Sequence, residues 1–581
     1  MEAREPRTQY LVATEPALLH AFDLFATAPG AATTLRSLIL SLAVQGKLVQ
    51  QETSDASASE LLAQIRPELD LQETTTEPVS PDGAMPFDIP SSWEWVSLGE
   101  VVDLIRGITF PASEKTNEPA PNRIACLRTT NVQHSIEWHD LLFVDRSFMG
   151  REVQLIRHHD IVMSMANSRE LVGKVALIES VPYPEATFGG FLGVLRPRHI
   201  DPRYVMAALR TDYARRALIG SASQTTNIAN ISLGKLRPLP FPLPPLAEQH
   251  RIVARVEELM KLCDALEQSG RLADEQHARL TSTLFDALAI SESAQALAEN
   301  WQRVAEHFDV LLDRPEAVDA LEQAIAQLAV RGLLVPQAAS DEPADALLQR
   351  LRARRPPLKG RTSSQPAAVE VPAAPYELPN EWSWAALDEL VENMGSGWSP
   401  ACDEGERSDP HRWAVLRTTS VQVMEYRPRE HKAIPQRLNP RPNIEVQVGD
   451  ILITRAGPLN RVGISCWVDE TPPRLMLSDK IVRFHPTVDE MLPAFIVLAL
   501  NAGWTRDQLE AAKTGMAASQ VNISQADLRR IVLPVCSKAE QRRIVERVNE
   551  LRCLCTELRQ RVTQSRATQS RLADALVAKV T

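Results

Sequence analysis

The sequence predicts an α+β fold: two mixed α/β heads separated by long antiparallel coiled-coil helices, closed into a pseudo-twofold circular arrangement. Three observations predict it. Four segments occur twice in the same order, roughly 290 residues apart, which marks a duplicated unit. Two long stretches carry apolar residues at alternating steps of four and three. Between them lie short apolar runs broken by Gly, Pro and Asn, the pattern of strands in a mixed domain.

The repeated segments run in order. SLAVQGKLV (41–49) is echoed by QLAVRGLLV (327–335), and PSSWEW (90–95) by PNEWSW (379–384). LRTTNVQ (127–133) returns as LRTTSVQ (416–422), and PLPPLAEQHRIVARVEELM (242–260) as PVCSKAEQRRIVERVNELR (534–552). The period is too long for a solenoid, so each copy is a domain plus a connector.

Along the chain, residues 15–66 read as helices, with Leu35, Leu38, Ile39, Leu42 and Val44 near helical spacing. Residues 67–85 are polar and proline-bearing, a linker that completes an N-terminal region of 1–85. The first head is expected over 86–245. Its strands are DIVMSM (160–165), GKVALI (173–178) and FLGVL (191–195), with a helix from Pro202 to Ile219. A central helical spacer covers 246–340, beginning with a helix from Leu246 to about Leu288. A linker follows over 341–375, rich in Ala, Pro and Ser around a short helix at 344–355. The second head is expected over 376–534 and a C-terminal helical spacer over 535–581.

The two long helices share one seam. Ile252, Val256, Leu259, Cys263 and Leu266 line the first; Ile544, Val548, Leu551, Cys555, Leu558 and Val562 line the second. Such an a/d stripe asks for a partner helix, and pairing the two with each other would make a rigid spacer. Ser537 and Glu540 have the spacing of a capping box that starts the last helix.

Composition narrows the function classes. The 581 residues are 44% hydrophobic and 24% charged, ordinary for a globular protein with several domains. The seven cysteines form no CxxC pair, so neither a zinc site nor a disulfide framework is indicated. No apolar run is long enough to span a bilayer, and MEAREPRTQY does not read as a signal peptide; a cytoplasmic protein with no membrane partner is expected. The net charge of −11 argues against tight autonomous DNA binding, which is normally the work of a basic surface. By segment the first head is about neutral and the second slightly acidic, which suits a subunit whose partner adds positive surface.

Catalytic signatures are missing. There is no Walker A sequence, helicase-like motif or nuclease carboxylate cluster. DPRY (201–204) looks like a methyltransferase tetrapeptide but lacks a Gly-rich cofactor loop, and Asp-Pro is a common helix start. His158-His159-Asp160 reads as a turn, because Asp160 matches Asp450 while the histidines become Val448 and Gly449. Trp93, Trp95, Trp382 and Trp384 read as core residues at a strand start. No catalytic residue, cofactor or metal is expected.

The duplicated PLPPLAEQHRIV and PVCSKAEQRRIV starts, with the two Trp-x-Trp openings, resemble the specificity subunit of type I restriction-modification systems, over nearly the whole chain. The resemblance implies two target recognition domains, each reading one half of a bipartite, asymmetric site in double-stranded DNA, with helices setting the gap. It also implies partners: two methyltransferase subunits docked on the helices, and restriction/translocase subunits. A stand-alone two-headed regulator, a fused methyltransferase and a scaffold without nucleic acid are the rivals. The acidic balance weighs against the first, the absent cofactor motifs against the second and the matched heads against the third.

Candidate DNA contacts are the polar and basic residues near matched positions. Arg128, Thr129, Thr130 and Asn131 match Arg417, Thr418, Thr419 and Ser420. A loop with Asn167, Arg169 and Lys174 corresponds to one with Arg455, Asn460 and Arg461. Gln224, Thr225, Thr226 and Asn227 precede one Asn-Ile-Ser triplet as Ser519 and Gln520 precede the other. Arg, Asn and Gln have the donor geometry for guanine and adenine edges. Residues shared by heads that read different sequences are first of all structural, so base readers are expected where the copies differ.

Overall fold

The computed structural model describes residues 28–66, 85–168, 171–221, 223–225, 228–354, 374–402, 405–407, 409–487 and 490–580. The expected helix over 15–27 and most of both linkers lie outside these residues. Two compact units result: Met1–Ala273 with Arg566–Thr581, and Asp274–Ser565.

In the first unit the head is built on a four-stranded antiparallel sheet in the order Val102–Arg106, Leu192–Pro197, Ile161–Ser164, Val175–Leu177. A second sheet, ordered Leu142–Asp145, Arg123–Leu127, Ala186–Phe188, contains one parallel pairing. The run 161–163 is apolar without alternation because it is covered on both faces. Ile161 and Met163 enter one core, while Val162 enters another. The second unit repeats this sheet for sheet. Val391–Ser396, Ile481–Pro486, Ile451–Thr454 and Ser465–Trp467 form the four-stranded sheet; His431–Ala433, Ala414–Leu416 and Leu475–Met476 form the other. Again Ile451 and Ile453 face one core and Leu452 the other.

Each head begins and ends in one ribbon. Glu94–Ser97 pairs antiparallel with Pro240–Leu243, and Ser383–Ala386 with Val532–Val535. The expected single helix at Pro202–Ile219 is two, Pro202–Leu209 and Asp212–Ser221. The break falls where the Thr211 hydroxyl donates to the Ala208 carbonyl at 2.6 Å and Asp212 starts a new helix. The region expected to be helical over 15–66 gives helices at Ala31–Val44 and Ala58–Ile65.

The central long helix is Leu246–Ala289 and the terminal one Lys538–Val580. At 1.5 Å per residue each is about 65 Å long. The seam finds its partner helix within each unit. Ile252, Val256 and Cys263 are buried in a core with Ile39 of the short helix Ala31–Val44. Ile544, Val548 and Cys555 are buried in a core with Leu321, Ile325 and Leu328 of the short helix Pro315–Val330. Those short helices carry the first repeated segment. Ala344–Arg354, expected inside a linker, belongs to the frame: its first N–H donates to the Glu381 carbonyl at 2.9 Å, as Ala58 does to Ser92 at 3.2 Å.

The repeated segments meet at one joint in each unit. Trp93 is 4% exposed and Trp382 5%. The Trp93 indole N–H donates to Glu248 Oε2 and the Trp382 N–H to Glu540 Oε2, both at 2.9 Å. The other carboxylate oxygens accept from the amides of Gln51 and Gln337. Gln249 accepts from the Asp201 N–H at 2.8 Å, and Gln541 from the Leu492 N–H at 2.9 Å, each tying a head helix to the long helix. Arg251 pairs with Asp55 and Arg543 with Asp341, both at 2.5 Å. Gly46 (φ +67°) and Gly332 (φ +72°) end the short helices under the indoles, where a Cβ would stand 2.4 Å from Pro90 Cγ and 2.6 Å from Pro379 Cγ. The predicted capping box is half formed. Ser537 accepts from the Glu540 N–H at 3.0 Å, but the Glu540 carboxylate is committed to Trp382.

Candidate nucleic-acid interface

Three segments converge in each head. In the first they are the turn after Arg123–Leu127, the loop after Ile161–Ser164, and the strands Ser223–Thr225 and Ile228–Asn230. The loop residues Ala166–Asn167 pair with Ala229 and Asn230. In the second, Ala456–Gly457 pairs with Val521 and Asn522 of Gln520–Asn522, which continues to Thr514–Ala517. Candidates scattered in sequence thus come to one edge of each head.

The LRTT turns are held by a clasp. In the first head Arg128 lies against Asp140 and donates to its carbonyl at 2.6 Å. Asn131 is buried; its Oδ1 accepts from the Arg128 N–H at 2.9 Å, and its amide donates to the Glu137 and His139 carbonyls at 2.9 and 3.0 Å. The Asn131 donors are thus committed inside the turn. Gln133 donates to the Thr130 carbonyl at 2.9 Å and accepts from Lys174 Nζ at 3.3 Å. In the second head Gln422 donates to the Thr419 carbonyl at 2.7 Å and accepts from Arg461 at 3.0 Å. Arg461 also donates to the Thr418 and Val421 carbonyls, both at 2.9 Å. Lys174 and Arg461 therefore hold the turn against its neighbouring loop. Desolvation, with Arg427 nearby, pulls the Arg461 pKa down from the usual arginine value.

The other candidates separate by exposure. Thr129, Arg417 and Thr418 are half-buried, while Thr130 and Thr419 are exposed; the Thr419 hydroxyl donates to Glu430 Oε2 at 2.7 Å. Asn167 is half-buried and its Oδ1 accepts from the Ser168 N–H at 2.9 Å. Asn460 and Gln520 are exposed. Gln224 and Thr225 lie on the strand Ser223–Thr225, and Arg169, Thr226 and Asn227 lie outside the described residues. Arg455 Nε is buried with no hydrogen-bond partner, as are the Nε atoms of Arg128 and Arg461.

Two residues at this edge belong to no repeated polar segment. Phe191 is 70% exposed, and its carbonyl accepts from the Met165 N–H at 2.8 Å. Lys480 is exposed at the equivalent point, its carbonyl accepting from the Arg455 N–H at 2.8 Å. The available signal is their place beside matched segments, combined with their mismatch.

The readings of DPRY and the histidine pair have structural counterparts. Asp201 accepts from the Arg203 N–H at 2.8 Å as a helix cap, and buried Tyr204 donates to the Pro242 carbonyl at 2.9 Å. Asp160 accepts from the Arg157 N–H at 2.8 Å and from Arg196 at 2.7 and 2.8 Å, closing a turn. Among the described residues no cluster suits a metal ion, and no helix is long and apolar enough to cross a membrane. All seven cysteines are free thiols.

Comparison with known proteins adds identity. Residues 90–274 match the family described as Type I restriction modification DNA specificity domain. The EcoEI specificity subunit of Escherichia coli is 36% identical over 563 residues, covering 93% of this chain and 92% of that one. The EcoAI specificity subunit of the same species is 28% identical, with the same coverage. The EcoKI specificity subunit of strain K12 is 23% identical over 84% of this chain and 89% of its own length. A duplicated two-headed chain aligned end to end with such relatives belongs to the specificity subunits of type I restriction enzymes.

Proposed function

We propose that the heads at 86–245 and 376–534 are target recognition domains, each reading one half of a bipartite, asymmetric target in double-stranded DNA. Family membership makes the chain the recognition subunit of its complex, with the chemistry carried by its partners. One observation supports the division of labour above others. The joints of the two heads match residue for residue and their main sheets strand for strand, while the edges carrying the candidate contacts differ at Met165 and Phe191 against Arg455 and Lys480. A shared frame with unlike edges is what two independent readers require. Linking them makes the second contact effectively intramolecular, so their discrimination adds.

The 44- and 43-residue helices set the gap between half-sites and dock the methyltransferase subunits. Two such subunits are expected because the candidate docking points are duplicated. Leu262 and Leu554 hold equivalent positions on the two helices, and each is 59% exposed. Restriction subunits join the assembled methyltransferase. The contact set proposed from the sequence then divides: Arg128, Lys174 and Arg461 position the turns, and the exposed Thr130, Thr419, Asn460 and Gln520, with Arg455, face the DNA.

Replacing 86–245 by the corresponding head of a relative tests the reading. Methylome sequencing should show one half of the modified site replaced and the other intact. Change in both halves, or in neither, would refute the division.

A further inference from the structure

The two heads carry opposite chemistry at one equivalent point. Met165 and Arg455 each donate their N–H to the loop before the next strand, at Phe191 and Lys480 respectively. Each accepts at its carbonyl, from the Ile231 and Ile523 N–H groups, both at 2.8 Å. The backbone frame is therefore the same, and the point lies beside the small three-stranded sheet of each head.

The side chains diverge. In the first head Met165 is buried and Phe191 stands out, the most exposed of the large apolar residues among those described. Its turn is stiff. The Leu192 N–H donates to the Gly189 carbonyl at 2.8 Å, and a Cβ on Gly190 would lie 3.1 Å from Thr109. A ring held in water by a fixed turn is poised for an apolar partner. In the second head the same two positions are cations. Among the described residues neither Arg455 nor Lys480 has a side-chain hydrogen-bond or ion-pair partner, and Arg455 Nε is shut away from water. Arg128 and Arg461 also have a buried, unpaired Nε, but their terminal nitrogens are engaged within their own heads. A guanidinium whose terminal nitrogens have nothing to bond is completed by an acceptor brought from outside.

Resting on the two-reader function proposed above, we infer that this point sets what each head recognises: Phe191 meets a thymine methyl in one half-site, and Arg455 with Lys480 meets the acceptor edge of a guanine in the other. Guanine offers O6 and N7 to the fork of an arginine, and the thymine C5-methyl is the apolar mark of the major groove. The duplicated frame brings both side chains to DNA in the same way, and unlike side chains make the target asymmetric.

The test uses the chain reconstituted with its methyltransferase subunits, methylating a library of randomised duplexes. Arg455→Met, which installs the residue of the first head, should weaken the preference for one G·C pair in a single half-site by about tenfold or more. Arg455→Lys keeps the charge but loses the fork, and should relax that same pair while leaving the other half-site's preference as in the parent. Phe191→Ala should relax one A·T pair in the opposite half by about tenfold and leave the guanine unaffected. A uniform fall in methylation with both half-sites unchanged would place the cations on phosphate and overturn the inference, as would effects in the wrong half. A parent complex with no bipartite preference would overturn the function on which the inference rests. Thermal unfolding of each variant, expected to match the parent, separates readout from folding.

Discussion

In the first unit the short helix presents Arg36 to the long helix, where Asp264 and Glu267 meet it at 2.6 and 2.7 Å. In the second unit the equivalent residue is Glu322, met by Arg552 at 2.6 Å and Arg559 at 2.8 Å. The apolar seams are alike and the charges beside them are reversed. At the joints nothing is reversed: Trp93, Glu248, Gln51 and Arg251 have the same partners as Trp382, Glu540, Gln337 and Arg543. The contrast separates two duties. The joint fixes how a head is mounted and is indifferent to which head it holds. The seam must distinguish two short helices and two long ones of nearly equal apolar pattern, and charge reversal does so, because an exchanged pairing would set Arg36 against Arg552 and Arg559.

The joints should show the largest effects. Trp93→Ala and Trp382→Ala each remove a buried ring and orphan a buried carboxylate, and each should cost about 3–5 kcal/mol. Denaturant unfolding followed by limited proteolysis checks this. Each variant should expose its own head first; identical cleavage patterns from the two would break the correspondence of the joints.

Much of this was legible in the sequence. The repeats located the heads, the seam located the long helices, and the two-faced burial of residues 161–163 agrees with their unbroken apolar run. What the repeats were for was not legible. Glu540 has the spacing of a capping residue, yet its carboxylate serves Trp382, a partner more than 150 residues away that no local pattern announces. Asn131 has the chemistry of a base reader and is consumed by its own turn. Phe191 and Lys480 carry no local signal, because they are unlike side chains on a like frame and only the frame repeats in the sequence. The seam offers the two long helices to each other, whereas Ile252 and Ile544 are buried with the short helices of their own units: an a/d stripe specifies that a helix must cover it, and the charges that select which helix lie outside the stripe.

Charge reversal at the seam should act more weakly. Arg36→Glu places like charges beside Asp264 and Glu267, and Glu322→Arg does the same beside Arg552 and Arg559. These groups are partly exposed, so each should cost about 1 kcal/mol or less, more at low ionic strength. Reversing both partners, Glu322→Arg with Arg552→Glu and Arg559→Glu, should recover most of the loss. A triple variant no better than Glu322→Arg alone would show that the charges do not key the pairing.

The smallest effect is one of sign, and it opposes the joint to the seam. Burial pushes Glu540 above the ordinary glutamate pKa, with the hydrogen bonds from Trp382 and Gln337 pulling part of the way back. Its contribution to stability is therefore full below the unfolded pKa and is lost as pH rises through the folded one. Burial also pushes Glu322 up, but hydrogen bonds from Arg552 and Arg559 outweigh it and hold the carboxyl below the ordinary range. Its contribution is present above the unfolded pKa and is lost as pH falls through the folded one. Glutamine does not titrate. Raising the pH from the acid side of the glutamate range to neutrality should therefore improve Glu540→Gln relative to the parent and worsen Glu322→Gln relative to the parent. The differences in Tm should be on the order of a degree, with opposite slopes. Parallel slopes would mean that the two carboxylates, one mounted under an indole and one between two guanidiniums, sense the same surroundings, and the separation of joint from seam would not hold.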